Sequence, residues 1–306
     1  MTLQYRTVFI SDTHLGSRAS QAAILSRFLK HVRCEKLYLV GDIVDIWRMS
    51  QKWYWPGEHN NVIRRILNHT KHGTDVVFIP GNHDEGARQF LGMNFGGVEV
   101  KPYDTHEAAD GRKLFVTHGD QFDLVVRHHR FLSMLGGKAY EMLVMLNRPY
   151  NAARRRLGMP RHSMSKAIKL SVKRACTFIG DFEVALEREA HERGLDGVVC
   201  GHIHKPEVRE AEQPGDIAYY NCGDWIEDCT AIVEEMDGTI RLIYAEEELE
   251  ALLEMPGDKP MAEQEGDAEE MMPLEELISV ARIFGDTAEG STPAVSAALQ
   301  TAAGTN

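Results

Sequence analysis

The sequence is poor in the features that would mark several protein classes. It has five cysteines in 306 residues, an odd number, scattered from Cys34 to Cys229 with no C-x-x-C pair. A disulfide framework and a zinc ribbon are therefore not expected. No excess of positive charge exists, since the formal net charge is -12, which argues against a general nucleic-acid binder but leaves room for a local basic surface. No stretch approaches the roughly 20 apolar residues of a spanning helix. Residues Met1 to Ile10 lack a basic start followed by a long apolar run. No internal repeat is visible. The expected setting is a reducing cytoplasm, with contact at a membrane surface still allowed. A hydrophobic content of 43% is enough to bury a full core.

Short β-like runs alternate with helical patterns over residues 1–120. Thr7 to Ile10, Lys36 to Val40 and Asp75 to Ile79 read as strands, with Gln21 to Cys34 and Asn60 to His72 as the helices between them. This rhythm predicts an α/β layer architecture. Each strand runs into a polar cluster: Ser11-Asp12-Thr13-His14, Gly41-Asp42-Ile43-Val44-Asp45 and Gly81-Asn82-His83-Asp84. The pattern recurs where Lys113 to Val116 precedes His118-Gly119-Asp120 and Gly197 to Cys200 precedes Gly201-His202-Ile203-His204. Loops at the carboxyl ends of strands are where such folds gather functional groups. Further strands are expected at Ile217 to Asn221, Thr230 to Glu234 and Thr239 to Tyr244, with an Asp237-Gly238 hairpin turn, and would complete a second sheet.

One D-x-H or G-D-x-x-D in a loop is ordinary turn chemistry. All of these clusters in one chain, each behind a β-like run, are the donor set of a dinuclear metal site. Two ions about 3.5–4 Å apart supply hydroxide at neutral pH and clamp a phosphate. Asp12, His14 and His204 are assigned to one ion, Asn82, His118 and His202 to the other, and Asp42 to the bridge. Nitrogen and oxygen donors without thiolate suit Mn, Fe, Zn or Co better than Mg or Ca, and manganese is the expectation. His83 is expected to reach the substrate, stabilising the transition state or protonating the leaving oxygen, with Asp84 orienting its imidazole. Asp45 and Asp120 are read as supports for the ligands.

These motifs, D-x-H, G-D, G-N-H-D, H-G and G-H-x-H, resemble in content and order those of the calcineurin-like metallophosphoesterases, over roughly residues 5–245. The resemblance implies a metallophosphoesterase β-sandwich flanked by helices, with the dinuclear site in its loops. A Trp soon after G-D (Trp47), an insertion directly after H-G-D and the G-H-x-H-x-P run Gly201 to Pro206 resemble the bacterial enzymes that hydrolyse UDP-2,3-diacylglucosamine to UMP and lipid X in lipid A synthesis. Many of those carry G-N-R-D where this chain has His83.

The predicted core, residues 1–120 and 181–245, is interrupted by a helical cap over 121–180, basic and apolar inside an acidic chain. Arg154, Arg155, Arg161, Lys166 and Lys169 are candidates for binding an anionic headgroup or diphosphate, and apolar residues such as Phe131, Met134 and Met142 for a wall beside acyl chains. The competing reading is a helical hairpin packed on the core with its basic residues solvated. Trp47 can stack on a base, touch lipid or simply pack. A phosphate-containing small molecule or lipid is the expected partner. From Glu246 the composition turns acidic, and residues 246–306 are predicted to be a largely disordered tail.

Overall fold

Alternation along the strands sorts the side chains of this chain into layers. The structure, a computed structural model, describes residues 2–125, 179–180 and 182–254. In order come β1 (Leu3–Ile10), α1 (Ala22–His31), β2 (Val32–Val40), α2 (Ile46–Gln51), α3 (Gly57–Lys71), β3 (Asp75–Ile79), β4 (Asn94–Phe95), β5 (Val98–Val100), β6 (Asp104–Glu107) and β7 (Lys113–Val116). Then follow α4 (residues 182–192), β8 (Gly197–Cys200), β9 (Glu207–Arg209), β10 (Ala218–Asn221), β11 (Thr230–Glu234), β12 (Ile240–Tyr244) and α5 (Ala245–Glu254).

Successive strand residues point to opposite faces, and here each face has its own partner. Val8, Ile10, Leu37, Leu39 and Val76 turn toward a layer holding Leu25 and Phe28 of α1, Val62 and Ile66 of α3 and Leu249 of α5. Phe9, Tyr38, Val40, Val77 and Ile79, from the same three strands, turn the other way to meet Leu114, Val116, Val199 and Tyr220. That inter-sheet layer joins a seven-stranded sheet, β12-β11-β1-β2-β3-β5-β4, to a five-stranded one, β6-β7-β8-β10-β9. The outer face of the smaller sheet presents Phe115, Val198, Cys200 and Tyr219 to Phe182, Leu186 and Ala190 of α4. The α/β sandwich flanked by helices is the expected architecture. Each large apolar side chain so buried contributes about 1.5–3 kcal/mol.

Parallel pairing aims the loops. β1, β2 and β3 are parallel neighbours, as are β7, β8 and β10. The carboxyl end of each strand therefore opens at the same edge as its neighbour's.

Four details differ from the sequence-based reading. α1 stops at His31 instead of Cys34, because Val32, fully buried, pairs with Leu3 and starts β2 early. β11 and β12 form the expected hairpin, but β11 pairs antiparallel with β1 (Val8 opposite Val233) and so extends the first sheet, leaving only β10 to the second. The short, polar β4, β5, β6 and β9 carry too little hydrophobic pattern to be seen in advance. Finally, the acidic run begins as helix: Ala245 and Leu249 lie in the core and Glu248 accepts a hydrogen bond from Tyr5 Oη at 3.1 Å, so order continues past Glu246. Most of the expected cap, with Arg154, Arg155, Arg161, Lys166 and Lys169, lies outside the described residues, as does the remainder of the expected tail. No helix among the described residues is long and apolar enough to cross a membrane.

Candidate metal centre

The five loops deliver their side chains to one place. Asp12, His14 and His204 have donor atoms within 4.8 Å of one another, and Asp42, His118 and His202 form a second such group. His204 Nε2 lies 3.1 Å from Asp12 Oδ1 and 3.3 Å from His14 Nε2. His118 Nε2 is 3.5 Å from Asp42 Oδ1, and His14 Nε2 is 3.9 Å from Asp42 Oδ2, so Asp42 has one oxygen toward each group.

Buried polar atoms normally have hydrogen-bond partners. Of the five buried side-chain atoms that lack one among the described residues, three are Asp12 Oδ1, Asn82 Oδ1 and His118 Nε2. Such unpartnered lone pairs, beside donor groups that lie within 4.8 Å of one another, are arranged as a cation would need them. The donor set, carboxylate, amide oxygen and imidazole, fits a divalent transition metal. Backbone strain marks the same residues. Asp12, His14, Asp42, His202 and His204 hold φ between 46° and 72°, and they are five of the six non-glycine residues with positive φ among those described. Each such conformation costs roughly 1–2 kcal/mol, and strain of this kind persists where surrounding structure over-determines it. Gly41 and Gly81 are required by close approach, since a β-carbon at either would collide with His118, and at Gly81 with Asp42 Oδ1 as well.

The sequence profile of calcineurin-like phosphoesterases matches residues 5–206. The chain belongs to that family. This phosphoesterase is 26% identical over 231 residues to the UDP-2,3-diacylglucosamine hydrolase of Salmonella arizonae, covering 70% of this chain and 88% of that protein. The Marinobacter nauticus protein of the same name is 28% identical over 231 residues, covering 72% and 90%. Among solved structures, a Streptococcus pneumoniae protein predicted to be a phosphoesterase aligns over 79% of this chain and 90% of its own, with a TM-score of 0.34 and 14% identity. The chain is a hydrolase of phosphoester bonds, and its candidate ligand clusters are those of a divalent-metal enzyme.

Around the donors of this phosphoesterase, hydrogen bonds fix orientation. Val40 O is 2.9 Å from His118 Nδ1, and Asp224 Oδ2 is 3.1 Å from His204 Nδ1. Asp12 Oδ2 accepts from the His202 amide at 2.8 Å and from Ser11 Oγ, leaving Oδ1 for the centre. The electrostatics suit a cation. Burial works against charging His118, yet Asp42 outweighs it and pushes the imidazole up to about 10. His204 is pushed up to about 11 against burial, chiefly by Asp12, and His14 to about 9, chiefly by Asp12 and Asp45. Burial likewise opposes ionisation of Asp42, but His118 holds it down at about 2. The field that holds protons on these nitrogens also attracts a divalent ion, and the two compete.

At the rim, His83 and Asp84 separate. Asp84 was expected to orient the His83 imidazole, and that expectation is corrected. Its buried carboxylate accepts from the backbone amides of Gly81 (2.6 Å), Ile43 (2.7 Å), Asp42 (3.3 Å) and Val44 (3.3 Å), tying two ligand loops together. The carboxylate on His83 is Asp45, 2.9 Å from Nδ1. Asp45 also lies 3.6 Å from His14 Nδ1, so one side chain steadies both histidines. Trp47, 47% exposed, stands edge-on to His83 at 5.8 Å between ring centroids. Asp120, read as a support for the ligands, accepts from Arg88 Nη2 at 2.6 Å. Sequence reasoning missed Ser11 and Asp224. Asp224 had a legible signal, because Gly223-Asp224 follows a strand as Gly41-Asp42 does.

Proposed function

We propose that this phosphoesterase hydrolyses UDP-2,3-diacylglucosamine at its diphosphate, adding water across the P–O–P bridge to release UMP and 2,3-diacylglucosamine 1-phosphate. The reaction type rests on one observation: Asp12 Oδ1, Asn82 Oδ1 and His118 Nε2, in the loops that follow β1, β3 and β7, are buried and without hydrogen bonds among the described residues. The substrate is taken from the relatives named above, of whose length the chain covers 88–90%.

In this reading Asp12, His14 and His204 would hold one divalent ion, expected to be manganese, Asn82, His118 and His202 would hold a second, and Asp42 would serve both. When bound, two divalent ions make water nucleophilic at neutral pH and neutralise phosphoryl oxygens. His83, held at Nδ1 by Asp45, has Nε2 on the Asp42 side of its ring, 3.9 Å from Asp42 Oδ2, where its imidazolium form would donate to a phosphoryl or leaving oxygen. Trp47 supplies an exposed aromatic face beside that histidine for the uracil or an acyl chain. A diacylated substrate resides in a bilayer, so the reading implies work at the cytoplasmic face of a membrane.

The test is a manganese-supplemented assay of the full chain against UDP-2,3-diacylglucosamine in mixed micelles, a cyclic nucleotide and an aryl phosphodiester. UMP released from the sugar nucleotide at a kcat/KM well above the others is the expected result. Turnover of the aryl phosphodiester with no UMP from the sugar nucleotide overturns the substrate while keeping the reaction type.

A further inference from the structure

Asp224 is a carboxylate locked by backbone and aimed at a single imidazole nitrogen. β8 and β10 run parallel, with Cys200 opposite Asn221, so the loops that follow them leave the sheet side by side. One carries His204 and the other Asp224. Asp224 Oδ1 accepts from the amides of Ile226 (2.8 Å), Glu227 (2.8 Å) and Asp228 (3.4 Å). The Thr230 amide donates to Asp224 O at 3.1 Å, Thr230 Oγ1 donates to Cys222 O at 2.7 Å, and the amide of the fully buried Trp225 donates to Asp12 O at 3.1 Å. With Oδ1 held by three amides, Oδ2 is left with one direction, toward His204 Nδ1 at 3.1 Å.

The consequence lies on the other side of the ring. A neutral imidazole carries one N–H, and its hydrogen-bond acceptor decides which nitrogen bears it. A carboxylate at Nδ1 keeps the proton there and leaves the Nε2 lone pair facing Asp12 Oδ1 and His14 Nε2, at 3.1 Å and 3.3 Å. His118 has a backbone carbonyl, Val40 O, in the equivalent place. A carboxylate partner makes the opposite nitrogen the more basic ligand, so His204 and His118 are backed unequally.

We propose that Asp224 is the positioning residue that sets the tautomer and ring orientation of His204, and that it thereby controls occupancy of the Asp12–His14–His204 position selectively. The inference rests on the reading of His204 as a metal ligand. Asp224→Asn tests it directly. Asparagine keeps Oδ1 for the three amides but turns an NH₂ toward His204 Nδ1, which drives the imidazole proton to Nε2 and blocks the lone pair.

Full-length protein stripped with chelator is titrated with manganese while free ion is followed by electron paramagnetic resonance. Wild type is expected to show two sites. In Asp224→Asn one site weakens roughly 10–100-fold, the other stays within twofold, and the thermal midpoint holds, a selective loss that a purely structural role would not produce. Two wild-type sites in a folded Asp224→Asn overturn the proposal, as does equal weakening of both. His204→Ala separates the underlying reading: if it keeps both sites, His204 is not a ligand and the metal assignment fails. Should Asp224→Asn not fold, histidine ¹⁵N spectra of zinc-loaded wild type decide the matter, with the His204 signals assigned by their absence from His204→Ala. A protonated Nδ1 and a metal-shifted Nε2 are expected, and a metal-shifted Nδ1 overturns the proposal.

Discussion

Among the described residues, two clusters of buried charge are built in opposite ways. At the strand ends, Asp12 Oδ1, Asn82 Oδ1 and His118 Nε2 are buried without hydrogen bonds among the described residues, and five residues of the site, Asp12 among them, hold strained positive φ. Elsewhere, on β11, Glu234 is equally buried but saturated. It accepts from Arg6 at 2.7 Å and 2.9 Å, from the Ala109 amide at 2.8 Å, and lies 2.7 Å from His106 Nε2. A buried charge is costly unless paired. Satisfaction within the protein marks a structural role, whereas donors left unsatisfied mark a place where something else binds. Burial alone does not distinguish the two clusters.

Exchanging the consequences of mutation would break this comparison. Asp42→Ala is expected to lower kcat/KM on the order of 10³-fold or more, about 4 kcal/mol of transition-state stabilisation, and to leave the thermal midpoint unchanged or higher, since strained sites trade stability for function. Steady-state kinetics beside calorimetry read both. Glu234→Ala should do the reverse. It strands Arg6 and His106, and breaking a buried pair costs about 3–5 kcal/mol, visible in a urea titration, while manganese stoichiometry holds. His83→Ala sharpens the boundary within the active region: a loss of roughly 10²-fold in kcat is expected of the proton donor proposed above, with manganese binding, read by titration, as in wild type.

The saturated cluster also makes a pH prediction. Burial opposes ionisation of Glu234, but its partners, His106 first, hold it at about 2 against an ordinary 4.5. Because the folded value is the lower one, its stabilisation is full above 4.5 and is lost as pH falls toward 2. Unfolding free energy measured across that window should slope downward with acidity in wild type and flatten in Glu234→Gln. The smallest effect is reserved for Trp47→Ala, a few-fold rise in KM for the sugar nucleotide, in keeping with about 0.5–1.5 kcal/mol for an aromatic contact. No change in KM removes Trp47 from the substrate's path.

Much of the centre was legible because its chemistry is local. A strand is a short apolar run, and a ligand loop is a polar cluster directly behind it, so Asp12, His14, Asp42, His118, His202 and His204 could be found with no knowledge of what faces what. Roles that depend on a neighbour from another loop were not legible. Asp84 and Asp45 stand one and thirty-eight positions from His83, and nearness in sequence favoured the wrong carboxylate. Tertiary packing sends Asp84 to four backbone amides and brings Asp45 to the imidazole. β11 illustrates the same limit, because its alternation announces a strand but says nothing of which sheet has an open edge, and β1 had one.

By itself, then, the sequence determined the reaction class of this phosphoesterase, because donor identity and the strand–loop rhythm are properties of contiguous residues. Only the tertiary structure decided which carboxylate serves which histidine, that Glu234 is satisfied while Asp12 Oδ1 is not, and that Asp224 stands behind His204. Those are properties of distance between segments, and the packing of the two sheets, with Asp12 after β1 of one and His204 after β8 of the other, sets that distance and puts Asp12 Oδ1 3.1 Å from His204 Nε2.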